Sequence, residues 1–199
     1  MEYITIKYGL DWVAALVLLL ILTPIIGGLF LLLKIAGQEH PVFSQARVGY
    51  REQVFTLYKI KTKYPNEVLK QRAWLSGFCR FLRQYSIDEI LQLWNVLQGD
   101  MSLIGPRPLL VEYLPLYSEQ QRKRHQVRPG ITGWAQVHGR NTLNWVDRFK
   151  MDTWYVDNFS LRLDIKILIR TVVHLIHPQG VRPEGLADFE KFRGNSANL

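Results

Sequence analysis

Cysteine is almost absent from this chain. Cys79 is the only one in 199 residues, so no disulfide can form within it. The fold must therefore rest on burial and hydrogen bonding, and a single thiol fits a reducing compartment. None of the five histidines stands at zinc-ligand spacing from another histidine or from Cys79. Three phosphate- or nucleophile-handling signatures are also missing: the P-loop, the dinucleotide-binding glycine fingerprint and the G-x-S-x-G elbow. Their absence argues against the common nucleotide-binding and hydrolase folds. There is no internal repeat and no low-complexity tract. Acidic residues are scarce, 17 against 25 Lys and Arg, for a formal net charge of +8. That balance suits a negatively charged partner such as anionic lipid, phosphorylated substrate or nucleic acid.

What the chain has in excess is apolar residues near its start. Trp12 to Leu33 is a stretch of 22 residues without a charge, between Asp11 and Lys34. As a helix it would reach roughly 33 Å, the hydrocarbon thickness of a bilayer. It lacks the short core and cleavage site of a secretory signal. Pro24 removes a backbone donor and disfavours helical geometry at Thr23, and Gly27-Gly28 follow. Two readings stand side by side: a kinked spanning helix, or a re-entrant hairpin broken at Thr23-Pro24. Either way the positive-inside rule puts the basic remainder on the cytoplasmic side. The expected organisation is a membrane-embedded segment, 1–36, followed by a catalytic domain, 37–199. The expected class is α/β (α+β), mostly helical with short strands, with amphipathic helices lying in the membrane interface.

Within the second part, Gln45 to Gly49 reads as strand into turn, and Phe55 to Lys61 alternates apolar and polar as a strand does. Lys59 and Lys61 share one face of it. Trp74 to Tyr85 combines Arg80 and Arg83 with Phe78, Phe81 and Leu82, which fits a helix against headgroups or an aromatic-rich core helix. Ser86-Ile87-Asp88-Glu89 fits a capping box opening a helix that Gly99 would stop. Its two carboxylates would then sit at a helix start, where backbone N–H groups favour anions. Gly105-Pro106-Arg107-Pro108 carries one Arg on a turn. Ser118 and Gln121 make a second capping box. Arg122-Lys123-Arg124-His125 with Arg128 is the densest basic run, either a solvated face or a phosphate patch. Trp134 to Val137 is expected as a short strand, Gly139-Arg140-Asn141 as a tight turn, and Trp145 to Asn158 as a helix. In Leu163 to His177, Lys166, Arg170, His174 and His177 form one narrow polar stripe on an otherwise apolar helix.

Carboxylates can supply a nucleophile or a Mg²⁺ ligand, and Arg and Lys clamp phosphate oxygens. Beside a membrane segment, this combination points to phosphoryl transfer on or to a lipid. The non-catalytic alternative is a membrane-anchored basic module that binds anionic lipid or nucleic acid. It lacks the repeated base-stacking aromatics of a single-strand binder and any helix-turn-helix signal.

Ordered blocks along nearly the whole chain resemble the bacterial sugar transferase family, the monotopic polyprenyl-phosphate phosphoglycosyl transferases. They are Pro41-Val42-Phe43 with Gln45, Arg47 and Gly49; Lys59-Ile60-Lys61-Thr62; Phe81-Leu82-Arg83; Ser86 to Glu89; Gly105 to Pro108; Arg128 to Val137; Gly139-Arg140-Asn141; and Asp152 to Val156. The resemblance implies transfer of a sugar-1-phosphate from a UDP-sugar to polyprenyl phosphate, with release of UMP. It implies a ping-pong route through a covalent phosphosugar on Asp88, with Glu89 binding Mg²⁺. Lys59, Arg83, Arg107 and Arg140 would position phosphates or nucleotide, and Asp152 matches an acidic family position. The resemblance also implies a re-entrant segment broken at Thr23-Pro24, membrane lipid as surroundings, and a bacterial cytoplasmic membrane with the site on its inner face. Nucleic acid is not expected; downstream glycosyltransferases and a second copy of the chain are compatible partners. A single-step route, in which both carboxylates only hold metal, is the enzymatic rival. The chain departs from the pattern at Lys61 (usually Arg), Leu91 (usually Pro) and His138 (usually Asn), and in a short segment between Lys61 and Gly77.

Overall fold

The fold is described from a computed structural model, over residues 2–64, 73–139, 143–177 and 191–194. It is mostly helical with short strands. A helix, α1, runs Glu2–Ile35 and is long and apolar enough to cross a membrane. The expected interruption at Thr23-Pro24 is not seen, because the helix continues through it. Thr23 Oγ1 donates to the Leu19 carbonyl at 2.7 Å, a back-bond that goes with bending rather than with termination.

One side of α1 packs on the rest of the chain along most of its length. Near its start, Tyr3 donates to Asp164 at 2.6 Å, and Lys7 lies between Asp11 (3.2 Å) and Asp164 (2.9 Å). Ser102 Oγ also donates to Asp11. Lys7, Asp11 and Asp164 are all buried, so one ammonium is shared by two carboxylates, whose other partners are the hydroxyls of Tyr3, Ser102 and Tyr155. In the middle, Ala15 sits in a core with Leu57, Leu93, Val96 and Met101. Near the end, Leu29, Leu33 and Ala36 pack with Ile60, Leu75, Cys79 and Leu82. The opposite side, including Ile6, Leu10, Leu20, Ile21 and Leu31, is exposed.

After α1 come β1 (Val42–Val48) and β2 (Val54–Ile60), an antiparallel pair with Phe43 opposite Lys59. Helix α2 (Ala73–Gln84) buries Leu75, Cys79 and Leu82 and exposes Trp74 and Phe81. Helix α3 (Gln92–Gln98) ends at Gly99 with φ 85, the left-handed stop read from the sequence. Strand β3 (Ser102–Ile104) follows, then a 3₁₀ segment at Val111–Leu116 and the short helix α4 (Glu119–Arg122), which opens with the expected Ser118–Gln121 capping box.

Strand β4 is Gly130–Thr132, parallel to β3, with Ser102 opposite Gly130 and Ile104 opposite Thr132. The strand expected at Trp134 to Val137 is instead a turn leading into helix α5 (Gln136–Gly139). Glycine decides the placement. A Cβ at Gly130 would lie 2.0 Å from the Gly105 nitrogen, and one at Gly133 would lie 2.1 Å from the Gly105 oxygen. Only bare backbone lets the segment after β3 and the segment around β4 interlock this closely. Helix α6 (Trp145–Asn158) is capped by Asn144, whose side chain accepts from the Asp147 N–H at 2.8 Å. Helix α7 (Leu161–Ile176) is capped by Ser160; it buries Leu163, Asp164 and Ile167 and exposes Ile165, Leu168, Ile169, Val172, Val173 and Ile176.

Candidate active site

The acidic pair lies just before α3, in a 3₁₀ turn at Ile87–Glu89. Ile87, Ile90 and Leu91 pack against the core shared by α1 and α2, which fixes the turn from below. The expected capping box is not formed. Ser86 is left-handed (φ 55) and its side chain makes no cap bond. The reason is competition for Glu89. Its Oε1 lies 2.6 Å from Lys59 Nζ and 2.6 Å from Arg107 Nη2, and its Oε2 accepts from Arg107 Nη1 at 3.3 Å. Two charge-assisted partners outweigh one backbone N–H. Leu91, in place of the family's usual Pro, has φ −68, the value a proline ring would impose, but Ile90 before it is right-handed helical, a conformation that a following proline disfavours.

Three elements bring this cluster together. Lys59 comes from β2, Glu89 from the 3₁₀ turn, and Arg107 from the loop after β3. Buried Asn95 ties α3, which directly follows the turn, to β2: its Nδ2 donates to the Thr56 carbonyl at 2.7 Å, and its Oδ1 accepts from the Tyr58 N–H at 3.2 Å. This role is not visible from sequence, because a polar residue inside an amphipathic helix has no local partner to betray it. Arg107 is placed by the glycine interlock and by Arg124, whose Nη2 donates to the Arg107 carbonyl at 2.7 Å.

The two neighbouring carboxyls differ in charge behaviour. Burial would raise Glu89, but Arg107 and Lys59 outweigh it and hold that carboxyl far below the usual range. Asp88 is pushed up to about 6, first by burial and then by the charge of Glu89, against the partial offset of Lys59 and Arg107. Among the described residues, no cation lies within ion-pairing distance of Asp88. A carboxylate of raised basicity without an ion-pair partner is a better nucleophile than a fully paired one. Arg107 is itself held more firmly protonated by Glu89.

Of the residues expected at the site, Lys59, Asp88, Glu89 and Arg107 converge. Arg83 donates instead to the Thr62 carbonyl at 2.5 Å, bracing the segment after β2. Asp152 is buried and pairs with Arg124 at 2.7 Å, so its link to the site runs through Arg124 to the Arg107 backbone. Arg140 lies outside the described residues. The basic run that begins at the last residue of α4 is not one patch. Arg122 pairs with Glu52, Lys123 with Asp157, and Arg124 is 2 % exposed beside Asp152. Arg47, part of a family block in the sequence, reaches the Pro108 carbonyl through Nη1 at 3.3 Å and Gln45 through Nη2 at 2.7 Å. Its Nε is buried and has no hydrogen-bond partner among the described residues. Burial and the neighbouring charge of Arg107 lower Arg47 to about 10.

As a metal site, the donor set is small. No group of three or more His, Cys, Asp or Glu occurs among the described residues. Two adjacent carboxylates fit Mg²⁺, which keeps waters and completes its shell with substrate phosphates. Glu89 Oε1 is already shared by two cations, which leaves Oε2 and the Asp88 carboxylate as the better oxygens for it.

Known proteins resemble this chain in sequence. Over 158 residues the chain is 47% identical to the uncharacterized sugar transferase EpsL of Bacillus subtilis, covering 77% of this chain and 78% of that protein. It is 34% identical to the undecaprenyl-phosphate galactose phosphotransferase of Salmonella typhimurium, over 88% of this chain and 41% of the relative. It is also 34% identical to an N-acetylgalactosaminephosphotransferase of Aeromonas hydrophila that acts on undecaprenyl phosphate, over 90% of this chain and 46% of the relative. The chain thus spans less than half the length of the latter two. Residues 2–178, which include the acidic turn, both strand pairs and the arginine loop, match the bacterial sugar transferase family, and the chain belongs to it.

Proposed function

We propose that this protein transfers a sugar-1-phosphate from a UDP-sugar to polyprenyl phosphate, as the first membrane step of glycan assembly. The observation that carries the proposal is the divided state of the acidic pair: Glu89 paired with Lys59 and Arg107, and Asp88 raised and, among the described residues, without an ion-pair partner. The names of the Salmonella and Aeromonas relatives support the lipid acceptor.

In the first step an Asp88 oxygen attacks the β-phosphorus of the UDP-sugar. The Asp88 O–P bond forms, the bond from that phosphorus to the bridging oxygen breaks, and UMP leaves with the bonding pair. In the second step a phosphate oxygen of the polyprenyl lipid attacks the same phosphorus, and Asp88 departs as carboxylate. Lys59 and Arg107 stand where they can neutralise phosphoryl oxygens as charge builds up. Glu89 Oε2 and Asp88 would hold Mg²⁺, which supplies charge neutralisation of the diphosphate when bound. Arg83 and Arg140 remain assigned to phosphate or nucleotide. Asp152 acts through Arg124 as a positioning residue for Arg107.

The same reading places α1 in the cytoplasmic membrane as a re-entrant element. Tyr3 and Lys7 pack on Asp164, and Leu29 and Leu33 pack on α2, so both ends of α1 rest on one domain. A spanning helix would carry its ends to opposite faces of the membrane, where a single domain could not hold both. In this arrangement Tyr3→Cys is labelled by a membrane-impermeant reagent only from the cytoplasmic side, and labelling from the outer side overturns it.

The decisive experiment is a UMP-release screen with Mg²⁺ across UDP-hexoses and UDP-N-acetylhexosamines, since the relatives' names differ in the sugar. Asp88→Asn should lose the activity while remaining folded. Mass spectrometry after incubation with UDP-sugar alone should find a phosphosugar on Asp88. Full activity in Asp88→Asn refutes the nucleophile, and turnover without an adduct favours the single-step route.

A further inference from the structure

The turn that carries Arg107 cannot hold its own shape. In Gly105-Pro106-Arg107-Pro108 two residues are proline, so two backbone donors that a turn could use are missing. Arg107 stands before a proline, which disfavours helical backbone and makes the direction of its side chain follow from where Pro108 is fixed. The carbonyls of the turn are held from outside instead, four in a row, each by a donor from elsewhere in the chain. The Gly130 N–H of β4 donates to the Pro106 carbonyl at 3.0 Å, and Arg124 Nη2 donates to the Arg107 carbonyl at 2.7 Å. Arg47 Nη1 donates to the Pro108 carbonyl at 3.3 Å, and the Val48 N–H donates to the Leu109 carbonyl at 3.1 Å.

Arg47 reaches this turn from β1, and its surroundings fix one geometry. Gln45 lies two residues before it on the same strand, hence on the same face, and accepts from Nη2 at 2.7 Å. That contact leaves Nη1 aimed at Pro108. The Nε is buried and has no hydrogen-bond partner among the described residues, so the planar group is oriented through its outer nitrogens. A backbone bridge between Arg47 and Leu110 keeps the same strand end against the chain that leaves the turn. The charge of Arg107 acts to lower Arg47 and that of Glu89 acts to raise it, which puts this guanidinium in the field of the Glu89–Arg107 pair. What arginine supplies here, and lysine does not, is a rigid fork that meets Gln45 and Pro108 at once.

We propose that Arg47, oriented by Gln45, is a positioning residue: it fixes the Pro108 carbonyl and thereby aims the Arg107 side chain at Glu89 and at the phosphoryl oxygens of the donor. The aim at the donor rests on the transferase function proposed above; the aim at Glu89 does not.

The test uses the full chain in detergent micelles and compares Arg47→Lys, which keeps the charge and loses the fork, with Arg47→Met. Both should lower kcat for UMP release by about tenfold and move KM for UDP-sugar by less than about twofold, because a misaimed Arg107 is felt where charge builds up in the transition state. Wild-type kcat in Arg47→Lys would mean that only the charge counts, and a raised KM with unchanged kcat would mean that Arg47 binds substrate itself; each overturns the proposal. In an Arg107→Met background, either substitution should cost less than about twofold more, because the residue it positions is gone. A further tenfold loss there also overturns it. Gln45→Ala frees Nη2 while keeping Arg47; it should reproduce the kcat loss at about threefold, and it carries the kinetic test if Arg47→Met does not fold. Thermal melting gives a readout that needs no activity. Arg107→Met should lower the melting temperature less in the Arg47→Lys background than in wild type, because its pair with Glu89 is already misaligned, and equal lowering overturns the positioning role. A wild type that releases no UMP from any UDP-sugar would refute the transferase reading, and the melting comparison then decides the role of Arg47 by itself.

Discussion

Replacing Asp88 with Asn should make the protein more stable at neutral pH while removing its activity. Asp88 is raised from an ordinary 3.8 to about 6, chiefly by burial and secondly by Glu89. A carboxyl raised in the folded state contributes stability only where it is protonated. That contribution is whole below pH 3.8, declines as pH climbs through about 6, and is gone above it. At pH 7.5 the folded protein therefore carries the full cost of the Asp88 charge. The rise corresponds to at most about 3 kcal/mol. Partial solvent access to Asp88 brings this down to about 1–2 kcal/mol. Asparagine has the same shape and no charge to desolvate. For a chain of this size, that gain raises the melting temperature by about 3–6 °C. The assay is thermal unfolding in detergent micelles at pH 7.5 and again near pH 4, for wild type and Asp88→Asn. The two should converge at the acidic end, where wild-type Asp88 is protonated. An equal or lower melting temperature for Asp88→Asn at pH 7.5 would refute the electrostatic account, as would a gain that persists unchanged at pH 4.

The same charge should appear in kinetics: kcat/KM for UDP-sugar falls below about pH 6, and Lys59→Met, which removes a cation that lowers Asp88, moves that limb upward by about one pH unit. A limb that stays put would exclude Lys59 from the local field. Arg124→Met leaves Asp152 buried and unpaired, and should cost about 3–5 kcal/mol in chemical or thermal unfolding. The double variant with Asp152→Asn should recover much of it, and strict additivity would show that the two do not act as a pair. Gly130→Ala puts a methyl group against the Gly105 backbone and should cost about 3 kcal/mol or more. A variant with wild-type melting would show that the interlock is not tight.

The local devices were legible in the sequence because their chemistry is local. Gly99 stops α3, Ser118 and Gln121 cap α4, and alternation places Lys59 on β2. The acidic pair and the arginine turn could be named, together with the family pattern that joins them. The partner of Glu89 could not be read. The sequence offers Ser86 three residues away, but the structure chooses Lys59, 30 residues before, and Arg107, 18 residues after. That choice follows from desolvation: once the turn packs on the core of α1 and α2, a half-buried carboxylate gains most from cations that other elements bring to it. The fate of each arginine was likewise hidden, because Arg122 and Arg124 look alike in a basic run until α6 arrives with Asp152. The same holds for the α7 stripe, whose spacing is written in the sequence but whose meeting with Trp134 is not. Sequence by itself determined which residue types stand at which local spacing. Tertiary structure alone decided which charges meet and lose water, and that decides which carboxylate is paired and which is left to react.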